Sequence, residues 1–169
     1  PERKGLTGEE INEEQAKNIA VEFIGSENVK QINLNNVTEN ANIPSYDFTI
    51  TNNKDENIWI SISKKGGHIV FMNYNREINV ETISQEQADE IGKNYLQLKG
   101  FENMESTYYM KQDGIVTINY AYTEYYNEQP VTVYSDLIKL KIALDNGEVL
   151  GMETTGYLNS HYERDFSNI

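Results

Sequence analysis

Ile11-Asn12-Glu13-Glu14-Gln15-Ala16 and Ile83-Ser84-Gln85-Glu86-Gln87-Ala88 are two versions of one phrase, 72 residues apart. The correspondence continues with Ile19 and Ile91, Phe23 and Tyr95, Ile24 and Leu96. Asn12 and Ser84 each read as a helix N-cap, because a short polar side chain there accepts from an otherwise unpaired backbone N–H. Gln15 and Gln87 stand at N3 to complete a capping box, and an isoleucine precedes each cap. Behind the first cap, Ala16, Ile19, Ala20, Phe23 and Ile24 form one apolar stripe that ends near Gly25. Ala88, Ile91, Gly92, Tyr95 and Leu96 repeat the stripe up to Gly100. Identical spacing predicts two amphipathic helices that pack on the same kind of surface.

A second echo closes each copy. Lys65-Gly66-Gly67-His68-Ile69-Val70 corresponds to Asp145-Asn146-Gly147-Glu148-Val149-Leu150, now 80 residues on. The extra residues are assigned to a longer loop around Tyr125 to Val131. Between helix and closing echo the apolar period changes from 3.6 to 2. In copy one, Ile32 and Leu34 suggest a strand, Tyr46, Phe48 and Ile50 a second, and Ile58, Ile60 and Ile62 a third. Gly66-Gly67 then turns the chain into a fourth, from His68 to Tyr74. Copy two predicts strands near 105–111, 115–126, 132–144 and 148–155, with hairpin turns at Asp113-Gly114 and Asn146-Gly147. Ile138, Leu140, Ile142 and Leu144 face one way, and Lys139 and Lys141 the other.

A period of this length means two small copies of one fold. The expected class is α+β: two tandem units, each one helix packed on an antiparallel β-sheet of about four strands. The boundaries read as a lead-in segment at 1–10, unit one at 11–79, unit two at 80–158 and a C-terminal tail at 159–169. Units this small bury modest cores, so contact between them is expected to add stability.

Composition narrows the function. A hydrophobic content of 38%, with 12 Tyr and 5 Phe, is that of a folded chain. Fourteen basic residues against 27 acidic ones give a net charge of -13, which disfavours nucleic acid and anionic lipid and steers a cationic partner inward. The same acidity keeps a surface soluble. Without Cys, disulfides, thiolate nucleophiles and Cys-type zinc sites are excluded. No apolar run reaches the length of a membrane span and no signal peptide is visible. Because the chain opens on Pro1, it is expected to be a fragment whose address or anchor lies upstream.

Helix first, then a meander closing on Asp145-Asn146-Gly147-Glu148, resembles the PepSY domain, a small cystatin-like module. Arg3-Lys4-Gly5-Leu6-Thr7-Gly8 with the capped helix to Gly25, and Gly66-Gly67-His68 followed by Asn75-Arg76-Glu77, are similar to the penultimate PepSY unit of the YpeB family of spore germination proteins. Gly100-Phe101-Glu102-Asn103-Met104-Glu105-Ser106-Thr107-Tyr108-Tyr109 resembles that family's last unit. So do Asp136-Leu137-Ile138-Lys139, Ala143 to Glu148, Gly156-Tyr157-Leu158 and His161. The resemblance implies a role in germination of bacterial endospores, outside the cytoplasm, in the region between the inner spore membrane and the cortex. It implies a cortex-lytic peptidoglycan hydrolase as protein partner, and a membrane link only through an upstream anchor. YpeB-type proteins also carry an N-terminal anchor, a helical region and a further PepSY unit, none of which these residues match. The family brings no catalytic motif to transfer.

The residues offer little chemistry of their own. His68 sits in a hairpin turn and His161 in a polar tail, where both read as solvated rather than as parts of a triad. Asn53-Lys54-Asp55-Glu56-Asn57 has an outline like a calcium loop, but Ile58 stands where that loop needs glycine, so it reads as a polar hairpin turn. No Walker loop, GxSxG elbow or HExxH helix occurs. Tyrosine is the excess: Tyr108, Tyr109, Tyr120, Tyr122, Tyr125, Tyr126 and Tyr134 crowd copy two. Tyr120 and Tyr122 share a face with Ile118 and read as core, whereas Tyr125 and Tyr126 flank the longer loop and are candidates for a partner surface. Trp59, the sole tryptophan, alternates opposite Ile58, Ile60 and Ile62. It is expected to fill the contact between copies, with an exposed docking anchor as the other reading. The expected function is a non-enzymatic binding module, without cofactor or metal, acting on a cortex-lytic hydrolase through Tyr125, Tyr126 and Trp59. Direct cell-wall binding is the alternative, and a hydrolase using paired carboxylates is the third.

Overall fold

Both caps form as their side chains predict. In the computed structural model, which describes residues 5–161, α1 spans Glu13–Ile24 and α2 spans Gln85–Leu98. Asn12 Oδ1 accepts from Gln15 N at 2.8 Å and Ser84 Oγ from Gln87 N at 3.1 Å, while each Gln side chain accepts from its cap's own N–H. Each stripe has members that are completely buried, Ala16 and Ala20 on α1, Ala88 and Leu96 on α2.

The eight strands are β1 (Val29–Thr38), β2 (Ser45–Asn52), β3 (Asn57–Ser63), β4 (Ile69–Tyr74), β5 (Met104–Gln112), β6 (Ile115–Tyr126), β7 (Gln129–Ala143) and β8 (Val149–Glu153). They do not form two sheets. They form one antiparallel sheet in the order β1-β2-β3-β4-β8-β7-β6-β5, fused where β4 pairs with β8. Phe71 lies opposite Glu153, Met72 opposite Met152 and Asn73 opposite Gly151. Met72 and Met152 are each other's counterparts under the 80-residue offset, so the joint is isologous: each strand meets its own equivalent, as in a twofold dimer. Phe23 and Tyr95, also counterparts, touch edge to face at 6.4 Å between the two helices.

Both helices lie on one face of this sheet, α1 over β1–β3 and α2 over β5–β7. Beneath them Phe48, Ile50, Ile60, Ile62, Met72, Ile118, Tyr120, Ile138, Leu140, Ile142 and Met152 form one continuous core. Tyr120 and Tyr122 are core, as their parity predicts.

The repeated residues repeat because they make the same contact twice. The Ile11 N–H donates to the Lys64 carbonyl, and the Ile83 N–H to the Leu144 carbonyl. Gly67 (φ +64°) lies under Ile19 and Ile11, and Gly147 (φ +80°) under Ile91 and Ile83. A bulge follows in each copy: Val70 is unopposed between Ile69 and Phe71, and Leu150 between Val149 and Gly151.

Two local expectations are corrected. The longer loop at Tyr125–Val131 is an extended hairpin, closed by Asn127 and Glu128 at φ 48° and 67°, the backbone that a two-residue hairpin turn requires. The last strand stops at Glu153, and a short helix, α3 (Thr155–Ser160), packs on β7 and β4. The lead-in segment is stitched down: the Gly5 N–H donates to the His161 carbonyl, and the Gly66 N–H to the Glu9 carbonyl. Of the tail expected at 159–169, Asn159 and Ser160 belong to α3, and 162–169 lie outside the described residues.

Candidate functional site

Because both helices cover the same face, the opposite face of the sheet is, among the described residues, left without a covering helix. Pairing registers place Trp59, Asn73, Gly151, Lys141 and Thr117 in one row across it. The adjacent row runs Ser61, Phe71, Glu153, Lys139, Asn119 and Tyr108. This face carries four of the large apolar side chains that stay exposed: Trp59 at 38%, Phe71 at 39%, Met110 at 48% and Tyr108 at 55%. Gly151 has no side chain, so a shallow depression opens at the middle, bordered by Phe71, Asn73, Lys139, Lys141 and Glu153.

Trp59 therefore does not fill the contact between copies. Its parity puts it on the outer face, while backbone ladders and the Phe23–Tyr95 pair make that contact. Tyr125 and Tyr126 lie elsewhere, on the hairpin extension, Tyr125 61% exposed and Tyr126 half-buried. Tyr125 is eight residues along β6 from Thr117 in the Trp59 row, about 26 Å at roughly 3.3 Å per residue. The structure does not unite the three into one site. It adds Phe71, Lys139 and Lys141 around Trp59, of which only the facing of the lysines was legible.

On the helix side, a groove of about 530 Å³ opens between the end of α1 and the middle of α2. Phe23 and Tyr95 form its sides, and Ile58, Met72, Tyr74 and Val149 its floor. Burial and a 2.7 Å bond to Glu56 push the Tyr74 phenol up to about 12, so it donates to that carboxylate at any physiological pH. The bond from Tyr74, with that from Asn52, in turn holds Glu56 below the ordinary carboxylate value.

Beside this groove Arg76, in the connector between β4 and α2, grips the closing hairpin of copy two. Its guanidinium donates to both Asp145 carboxylate oxygens at 2.6 and 2.9 Å, to Glu148 at 2.9 Å and to the Asn146 side chain at 3.0 Å. Those bonds raise Arg76 and lower Asp145, a pair fixed in its charged state.

Neither histidine is solvated as expected. His68 Nε2 lies 2.6 Å from the Thr7 carbonyl, an acceptor only, so this nitrogen carries the proton. His161 is 7% exposed and Asp136 is fully buried, with Nδ1 and Oδ2 at 3.0 Å. Tyr157 stacks on the imidazole at 4.3 Å and Tyr122 meets it edge-on at 4.4 Å. Asp136 reaches inward from a break in register: Ala121 pairs with Leu137 but Tyr122 with Val133, leaving Tyr134, Ser135 and Asp136 unopposed. The pair seals α3 to β7, each buried polar group finding its partner in the other.

Over residues 1–167 the chain matches the family model described as YpeB sporulation, PepSY1 and PepSY2 domains. The sporulation protein YpeB of Oceanobacillus iheyensis is 32% identical over 96% of this chain and 35% of its own length. That of Bacillus subtilis is 32% identical over 96% of this chain and 36% of its own. The chain thus spans about a third of these curated relatives. Among solved structures, the Bacillus megaterium YpeB C-terminal domain is similar, with a TM-score of 0.83 at 25% identity, over 95% of this chain and 70% of that one.

Proposed function

The chain belongs to the YpeB sporulation family, as its pair of PepSY domains, and from that premise we propose that it is a non-catalytic module holding or restraining a cortex-lytic peptidoglycan hydrolase. Its mechanism is occupancy. The observation that carries this reading is the uncovered sheet face, where Trp59, Phe71, Tyr108 and Met110 stay exposed on a rigid eight-stranded platform. Aromatic side chains on a rigid frame lose little rotamer freedom on binding and supply large contact area. Tyr125 and Tyr126, on the hairpin extension, form a second, separate contact of the same kind. The units act as 11–79 and 80–158, in the extracytoplasmic cortex region of the endospore, tethered through an upstream anchor.

The test is a calorimetric titration of this chain into the purified catalytic domain of a cortex-lytic hydrolase. Saturable one-to-one binding is expected, weakened by Trp59→Ala and by Tyr125→Ala with Tyr126→Ala, with the melting temperature unchanged. No heat at two temperatures, together with sedimentation on purified cortex fragments, would move the assignment to the cell wall itself.

A further inference from the structure

The centre of the uncovered face is electrically unlike the rest of the molecule. In a chain of net charge -13, Lys139 and Lys141 stand two residues apart on β7 with both side chains on this face. Among the described residues neither forms an ion pair, although Lys30, Lys64, Lys93 and Lys111 each do. The Lys141 stem lies over Gly151, whose absent side chain leaves it room, and so leans toward Asn73 and the aromatic half of the patch. Glu153 is the carboxylate at the centre, opposite Phe71 on one side and Lys139 on the other, and Asp47, opposite Ser61 at the Trp59 end, already accepts from the Thr38 and Ser45 hydroxyls. Two unpaired lysines thus lie two strands, about 10 Å, from Phe71 and three strands, about 14 Å, from Trp59.

A net negative field steers at long range, but within a Debye length, about 8 Å at physiological salt, the local charges decide what docks. Here those are cations beside aromatic rings. The strand backbones beneath are consumed by the ladders, and the Asn73 amide already donates to Asn75, so sugar hydroxyls would find few partners. We propose that this patch docks an acidic segment of a partner protein, its carboxylates on Lys139 and Lys141 and an apolar side chain against Trp59 and Phe71. The proposal rests on the reading of the chain as a protein-holding module, and it identifies the surface that module presents. The apolar residue and the acids lie about three extended residues apart in such a segment.

Trp59, the single tryptophan, reports on the site by its own fluorescence. The probe is a short synthetic peptide of glutamates interrupted by leucines, with the lysine–leucine version as control. The acidic peptide shifts Trp59 emission saturably and the basic one does not. Lys139→Gln with Lys141→Gln raises the midpoint at least tenfold while the thermal transition stays in place. Phe71→Ser, a second variant, weakens binding without touching charge. No response to the acidic peptide, an equal response to the basic one, or full binding by the Gln variant would overturn the proposal. So would cortex peptidoglycan fragments that displace the peptide. The catalytic domain of a cortex-lytic hydrolase is then titrated into wild type and the Gln variant. Equal affinity for both overturns the patch as the docking surface. If the peptide binds in this pattern but the hydrolase binds neither protein, the hydrolase assignment fails and the acidic-segment site stands.

Discussion

Two tightly packed points of the molecule are glycines that the repeat had already marked. At Gly147 a Cβ would stand 2.7 Å from Ile91 Cδ1, and at Gly67 one would stand 2.6 Å from Ile19 Cδ1, both with left-handed backbones. Left-handed φ costs an alanine about 1–2 kcal/mol before the isoleucine moves. Gly147→Ala and Gly67→Ala should therefore each lower unfolding stability by about 2–3 kcal/mol in urea titrations. Gly92 is the sharper test because two effects oppose. It sits inside α2, where alanine gains about 1 kcal/mol of helix propensity. Its Cβ, however, would meet the Tyr120 hydroxyl at 2.2 Å, which donates to the Asp89 carbonyl at 2.9 Å. Overpacking and a lost buried hydrogen bond together outweigh the propensity, so Gly92→Ala should destabilise by about 1–3 kcal/mol. A stabilised variant would refute that ordering. The Asp136–His161 pair was readable only in half. Asp136 shares the parity of Ile138, Leu140 and Ile142, so a charged residue in the inward-facing series was the available signal. The sequence around His161 offers one of its ring partners, Tyr157 four residues earlier, but Tyr122 and Asp136, which complete its burial, come from β6 and β7.

Among the elements, helix caps and tight turns were legible because each is decided within a few residues. Sheet fusion was not. A strand alternates its side chains identically whether its edge faces water or another strand, so β4 carries no mark of β8. The connector is a middle case: Arg76 was visible only as part of a family pattern, and its partners lie about 70 positions away. Its fork predicts that Arg76→Ala lowers the urea midpoint and that Arg76→Lys recovers less than half of the loss, since an ammonium cannot match the bidentate geometry. The pH dependence follows from the depressed Asp145 acidity. A carboxyl lowered in the folded state contributes stability that is fully present above its ordinary value of 3.8 and is lost as pH falls through the lower folded value. Midpoints of wild type and Arg76→Ala should accordingly differ at neutral pH and converge in strong acid. A gap that persists there would show that the arginine acts through packing instead.

At the scale of the molecule, continuous hydrogen bonding from β1 to β5 and one core beneath two helices predict a single cooperative unfolding transition. Phe48→Ala, in copy one, should cost about 3–5 kcal/mol. It should accelerate amide exchange in β6 of copy two as strongly as in β2. Two calorimetric transitions, or protection lost only in copy one, would mean that the joint is weaker than its geometry suggests.

The β4–β8 joint carries one more implication. Since each half meets its own counterpart across Met72 and Met152, the joint has a valence of one per half and is saturated at two. A head-to-tail contact could propagate to a third copy; this one terminates itself. Any additional homologous unit, in the same chain or another, finds this mating edge already occupied. It must then approach the outer strands β1 or β5, or a face of the sheet.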